Sequence, residues 1–247
     1  MSTHSLLHAD PLPWLLQTDD PGPRYLALRD LCGLPADDPE LRAARTAAHR
    51  SGPIAAVLDG MNPAGFWVKP GPGYGPKYHS TVWAMILLAQ LGAAVQEDPR
   101  IAAACRYLLD HALMPDGQFT YSGAPSGTMD CLQGNLCWAL LQLGCDDPRL
   151  DTALDWLACS VTGEGVAPAQ GGHSNRNRQA AQEKRAAGRE EGRRYYASLK
   201  CGPCFACRIN NGQPCAWGGV KVMLALAEVS AERRTPQIER AISAGVD

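Results

Sequence analysis

The sequence predicts an all-α protein built as an array of helical hairpins, and three observations predict it. The segments Tyr78 to Gly92, Asp130 to Gly144 and Pro214 to Glu228 can be laid over one another. The overlay aligns Leu88, Leu140 and Leu224, and two positions earlier it aligns apolar Ile86, Trp138 and Val222. A turn rich in Asp or Pro follows each segment and opens a second pattern with apolar residues on one side. No run of alternating apolar residues predicts a major sheet.

The elements follow in chain order. A first unit begins near Asp19 or Asp20 with PGPRYLALRDLCG, its register open by one residue. Asp37-Asp38-Pro39-Glu40 then starts LRAARTAAHR. Asp before Pro suits a side-chain cap followed by a proline in the first turn, where the missing N–H costs nothing. Capping accounts for the Asp37-Asp38 and Asp146-Asp147 pairs without a catalytic role. The turn Asn62 to Trp67 leads to the Gly- and Pro-rich stretch Gly65 to Ser80 and the helix VWAMILLAQL. Asp98-Pro99 opens the next helix, with Ile101, Cys105, Leu108 and Leu109 on one face. The turn Met114 to Phe119 precedes LCWALLQL, and Asp147-Pro148 precedes a helix carrying Leu150, Leu154 and Leu157. A turn at Thr162 to Gly165 closes that helix, and Thr235-Pro236 starts the last one, QIERAISAGV.

Each unit is thus a helix apolar nearly all round followed by an amphipathic one, with a period of roughly fifty residues. Inner and outer helices in alternation describe an α/α toroid or solenoid of about four repeats. The chain ends inside an outer helix, so an incomplete ring, or part of an oligomer or partner assembly, is expected. The whole of residues 1–247 reads as one domain with a polar insertion at 166–198. That insertion holds Arg176, Arg178, Lys184, Arg185, Arg189, Arg193 and Arg194 against Glu183, Glu190 and Glu191. It reads as a surface loop, or as a lid whose arginines and His173 face an anionic ligand.

Composition narrows function. A net charge of -2 provides no general attraction for nucleic acid. No long apolar run predicts a membrane span, and the N-terminus lacks a secretory pattern, so a cytoplasmic setting is the default. There, ten cysteines read as thiols or metal ligands rather than disulfides. The glycines lack nucleotide-loop spacing, and Ser122 and Ser126 have no paired His and Asp. Trp83, Trp138 and Trp156 read as core or cavity wall.

Two metal constellations remain, and they compete for Cys215. The overlay places His79, Cys131 and Cys215 at one equivalent position, where helices circling an axis would gather them. Two thiolates and an imidazole suit zinc with one open coordination position, and a helix N-terminus favours negative charge. Asp130 would orient His79 or fill that position, which makes Asp130 and His79 the candidate catalytic pair. The second constellation is Cys201, Cys204, Cys207 and Cys215, a C-x2-C-x2-C-x7-C run. Four thiolates would hold a structural zinc, or, less closely matched in spacing, an iron–sulfur cluster. Lys69, Tyr74, Lys77 and Tyr78 precede His79 and are candidate substrate contacts at the same mouth.

The repeated helices, the Asp-Pro turns and the Gly65-Phe66-Trp67 and Gly117-Gln118-Phe119 turns together resemble the α/α-toroid superfamily of terpenoid cyclases and protein prenyltransferases, over most of residues 14–247. The turns look like degenerate squalene-cyclase repeats. The resemblance implies an apolar or prenyl-like substrate in a central cavity. The chain departs from the family's catalytic motifs: neither D-x-D-D nor D-D-x-x-D occurs, and Asp130 and Cys131 adjoin where prenyltransferases have D-x-C. Cys131, Cys215 and His79 are similar in type and placement to the zinc ligands of lanthionine-forming cyclases, without that family's adjacent Cys-His pair. A metal-binding toroid protein is therefore expected; if it is an enzyme, it is a zinc-dependent transferase or cyclase acting on an apolar or thiol substrate, with a metal-stabilised scaffold for a protein partner and an iron–sulfur redox protein as the alternatives.

Overall fold

The computed structural model describes residues 9–124, 127–163, 166–168, 193–195, 205–207 and 213–246. Helices dominate: α1 (Leu12–Leu15), α2 (Pro21–Asp30), α3 (Pro39–Arg50), α4 (Pro53–Asp59), α5 (Thr81–Gln90), α6 (Pro99–Ala112), α7 (Asp130–Gln142), α8 (Arg149–Thr162), α9 (Ala216–Ala227) and α10 (Pro236–Val246). Among the described residues no helix is long and apolar enough to cross a membrane.

The Asp-Pro and Thr-Pro starts form where the sequence predicts them. Asp38 accepts the Glu40 and Leu41 N–H groups at 2.8 and 3.2 Å. Asp98 accepts that of Arg100 at 2.8 Å, Asp147 that of Arg149 at 3.0 Å, and Thr235 that of Ile238 at 3.2 Å. Each satisfies a donor that the helix leaves without a partner, worth about 1 kcal/mol. Arg100 and Arg149 add a link between elements. Each guanidinium grips its own capping aspartate and reaches back to an earlier helix, Arg100 to Asp59 and Arg149 to Asp110.

The α5–α6 and α7–α8 hairpins repeat one another bond for bond. The backbone N–H of Trp67 donates to Thr81 Oγ1, and that of Phe119 donates to Gln133 Oε1 at the equivalent place. Gly92 and Gly144 close the inner helices with φ of 77° and 78°. The next residues, Ala93 and Cys145, donate to Leu88 and Leu140 carbonyls, both at 2.9 Å. A left-handed residue at this place lets the chain turn back without a Cβ clash.

Helix α7 is the centre of the packing, with α5 on one side, α9 on the other and α8 against it. Leu132, Leu136, Cys137, Ala139 and Leu140 are buried along it. The third overlaid segment departs from the expectation. Leu88 and Leu140 are wholly buried, but their counterpart Leu224 is 48% exposed. Helix α9 buries Gly218, Val222, Ala225 and Leu226 and leaves Trp217, Val220 and Leu224 exposed as a stripe. The cause is position: α7 is packed between α5 and α9, whereas among the described residues no second overlaid helix packs on α9 beyond α7.

Strands β1 (Val166–Pro168) and β2 (Arg193–Tyr195) pair in parallel, so the two ends of the predicted insertion meet. Strands β3 (Ala206–Cys207) and β4 (Gln213–Pro214) pair antiparallel just before α9. The sequence signalled neither pair, because runs this short have no readable alternation.

Candidate functional site

Helices α7 and α9 run side by side in the same direction, and glycines set their spacing. A Cβ placed on Gly134 would lie 2.5 Å from the Lys221 carbonyl carbon and 2.6 Å from the Val222 nitrogen. One turn nearer the N-termini, a Cβ on Gly218 would be 3.6 Å from Asp130 Cβ and 3.9 Å from Cys215 Cβ. Asp130 and Cys215 therefore flank the same glycine, where the two helices begin. Cys215 is the N-cap of α9, its Sγ accepting the Gly218 N–H at 3.4 Å. Asp130 is 9% exposed, and Cys131 and Cys215 are half-buried. Phe205 covers this end, its ring 3.1 Å from the Cβ position of Gly219.

The loops before α5 and α7 supply an aromatic wall. Tyr74 lies between Trp83 and Tyr121, with ring centroids 5.5 and 5.8 Å away. Tyr78 lies on the Trp83 ring at 4.8 Å. The Lys77 ammonium stands 5.0 Å from the Tyr78 centroid and 5.6 Å from that of Trp83, within cation–π range. Trp83 Nε1 donates to the Tyr74 carbonyl at 2.9 Å and fixes the wall to α5. Burial pushes the Tyr74 phenol above its ordinary value, against the lowering effect of Lys77 and with a further rise from Cys131. A hydrogen bond with Tyr78 pushes Lys77 up, and the nearby tyrosines add to it. Cys131 thus shares an electrostatic neighbourhood with Tyr74 and Lys77.

Backbone strain concentrates at the same end. Val68, Tyr78 and Phe205 have φ of 67°, 69° and 44°, a region that side chains with a Cβ avoid. Such positions cost on the order of 1–3 kcal/mol each and tend to mark ligand clamps and functional loops. Val68 and Tyr78 are also 63% and 69% exposed, so burial of their side chains does not offset the strain.

The predicted residues divide accordingly. Asp130 and Cys215 both border Gly218, and Tyr74, Lys77 and Tyr78 form one wall near Cys131. His79 is exposed and precedes Ser80, the residue whose hydroxyl turns inward to the Gly73 and Pro76 carbonyls. Lys69 is exposed in the preceding loop. Among the described residues no group of three or more His, Cys, Asp or Glu side chains is gathered closely enough to hold a metal ion. Cys201, Cys204, His173 and the Lys, Arg and Glu residues singled out from Arg176 to Glu191 lie outside the described residues, as do the side chains of Arg193, Arg194 and Cys207. For Cys207 the β3–β4 register is described: it stands opposite Gln213, two residues before Cys215.

Sequence reasoning missed Tyr121 and Phe205, which lie in turns with no periodic pattern to mark them. A shallow groove of about 560 Å3 along α3, lined by Arg42, Thr46 and Arg50 among others, involves none of these residues. No protein-family model, curated protein or solved structure matches this chain.

Proposed function

We propose that this protein is a thiolate metal-binding protein of the α/α-toroid type, with zinc bound at the N-terminal end of α9. The observation that carries this reading is the β3–β4 hairpin. Its register folds the chain back so that Cys207 stands opposite Gln213, and the half-buried N-cap Cys215 follows two residues later on the returning strand. A C-x2-C turn on one side of a short hairpin and a further cysteine on the other is the chain path that one metal ion needs. The donors fit zinc: soft sulfur ligands, with Asp130 beside Cys215 as a hard ligand or an orienting group. Cys201, Cys204, Cys207 and Cys215 would supply the thiolates, and Cys131 and His79 are the remaining donors at the mouth.

With an open coordination position zinc would lower the pKa of a bound thiol or water, and with four thiolates it would hold the loop before α9 in place. Around it, the wall of Tyr74, Tyr78, Trp83 and Tyr121 would seat an apolar or thiol-bearing substrate, and Lys77 would hold an anionic end of it. Asp130 would accept a proton or hydrogen bond next to Cys215. A second reading is favoured by the exposed α9 stripe of Trp217, Val220 and Leu224: a metal-stapled scaffold that seats a partner helix on that face.

Metal analysis of anaerobically purified protein tests the proposal. One zinc per chain, lost in Cys204→Ala and Cys215→Ala but kept in His79→Ala and Cys131→Ala, is the expected result and favours the stapled site. Loss in His79→Ala or Cys131→Ala moves the centre to the inner-helix mouth and favours the enzyme. Iron with sulfide replaces zinc by an iron–sulfur cluster, and metal-free wild type refutes the proposal.

A further inference from the structure

The aromatic wall holds a cation of its own. Tyr78 and Trp83 lie with ring centroids 4.8 Å apart and planes inclined at 56°, so their faces open as a V instead of stacking. The Lys77 ammonium stands over both, 5.0 Å from the Tyr78 centroid and 5.6 Å from that of Trp83. Tyr74 continues the wall on the Trp83 side, and Tyr121 continues it beyond Tyr74. An aromatic face carries the negative part of the ring quadrupole, so two faces that open on one point favour a cation there.

Hydrogen bonds hold the V in place. Trp83 lies in the first turn of α5, and its Nε1 donates to the Tyr74 carbonyl at 2.9 Å. The wholly buried Ser80 hydroxyl reaches the Gly73 and Pro76 carbonyls at 2.7 and 2.9 Å. The Val82 N–H donates to the Gly73 carbonyl at 2.9 Å, so the loop is pinned on both sides of Lys77. Tyr78 adopts φ of 69°, which is costly for a residue with a Cβ, and presents a side chain that is 69% exposed. Core packing does not account for that placement; a ligand on the ring face does.

Charge and solvation select the ligand. Among the described residues the groups that act on Lys77 are Tyr78, Tyr74 and Cys131, with no carboxylate among them. A lysine ammonium is compact and strongly hydrated, and gains little by leaving water for an exposed ring. A methylated ammonium spreads the same charge over an apolar surface and is the better match for ring faces without a carboxylate. The flexible Lys77 stem lets its own ammonium swing aside and meet an anion.

We propose that the V between Tyr78 and Trp83 binds the methylated ammonium of a small zwitterion, which takes the place that Lys77 occupies and leaves Lys77 to pair with the anionic end. The proposal rests on the substrate wall described under the proposed function and names its ligand class, and it is independent of the metal.

The test is titration of the full chain with tetramethylammonium and with glycine betaine, read by the NMR resonance of the Trp83 indole N–H. Both should move it saturably. The carbon isostere tert-butylacetate has the shape and carboxylate of glycine betaine without the positive charge, and should leave it in place. Lys77→Met removes the internal cation and should tighten tetramethylammonium binding about two- to fivefold, the equivalent of one exposed cation–π contact. Tyr78→Asn removes one face with a side chain that tolerates the positive φ, and should weaken both ligands. Absence of binding in both wild type and Lys77→Met overturns the proposal, as does equal binding of tert-butylacetate, which would make the wall a plain apolar surface. Equal or weaker tetramethylammonium binding in Lys77→Met overturns it too. Should Tyr78→Asn not fold, the comparison of glycine betaine with its isostere in wild type decides. Metal content of the same wild-type sample separates the two readings: zinc without binding fails only this one, and binding without zinc fails only the metal site.

Discussion

Gly134→Ala should separate α7 from α9, and the size of the effect follows from the atoms it meets. In a helix interior, alanine is favoured over glycine by about 1 kcal/mol. Here the added Cβ would lie 2.5 Å from the Lys221 carbonyl carbon, whereas ordinary contact begins at 3.4 Å. The obstructing atoms are α9 backbone, so relief requires moving that helix by about 1 Å, an overpacking that costs about 1–3 kcal/mol and occasionally more. With the propensity gain subtracted, a net loss of up to about 2 kcal/mol is expected, which is about 1–3 kcal/mol less stable than an unobstructed helical glycine-to-alanine change. For a chain of this size that lowers Tm by about 2–4 °C per kcal/mol. Urea and thermal unfolding would measure it against two other helical glycines. Gly22→Ala meets nothing closer than Pro53 Cδ at 3.9 Å and should be neutral or stabilising. Gly245→Ala meets the flexible end of Met223, which can swing aside. A Gly134→Ala protein as stable as Gly22→Ala would refute the α7–α9 crossing at this residue, and with it the adjacency of Asp130 and Cys215.

Asp98→Ala removes the α6 cap and should cost about 1 kcal/mol in urea unfolding. Arg100 and Arg149 hydrogen bonds hold the Asp98 and Asp147 carboxyls below their usual range. The fold keeps them ionised where the unfolded chain binds protons, so their contribution is complete above about pH 4 and lost as the pH falls further. Asp98→Ala should therefore lose stability less steeply than wild type below pH 4, and an equal slope would refute the pairing. Burial pushes the Tyr74 phenol up and Lys77 pulls it down. In Lys77→Met the alkaline phenolate absorbance of one tyrosine should move to higher pH, and a move to lower pH would place Lys77 elsewhere. With wild-type Lys77, the fold still keeps the Tyr74 proton beyond the ordinary phenol value, so stability should decline as pH rises above about 10.

The parts of the fold legible in the sequence are those decided within a few residues. Asp38, Asp98 and Asp147 cap because an oxygen at that spacing meets a free N–H whatever the rest of the chain does. Gly92 and Gly144 end helices because φ near 77° is strained for a residue with a Cβ and free for glycine. The apolar spacing of Ile101, Cys105 and Leu108 marks a buried face for the same local reason. The candidate site was legible only in part. The overlay named His79, Cys131 and Cys215 from their register and Asp130 as their neighbour, but the placing of Asp130 and Cys215 on either side of Gly218 depends on two helices approaching at Gly134. The aromatic wall required two loops and a helix, and Tyr121 had no pattern of its own.

Periodicity states that a helix has an apolar face and is silent on what covers it. Leu88, Leu140 and Leu224 carry the same signal in the same register, yet only the first two are buried, because coverage is supplied by a neighbouring helix and not by the residue. The sequence by itself determined the helices, their caps and turns, and an inventory of sulfur ligands, all governed by local backbone and side-chain chemistry. Which apolar faces remain open and which aromatic rings surround Lys77 were decided by tertiary packing, because contacts between elements depend on the backbone geometry that brings them together.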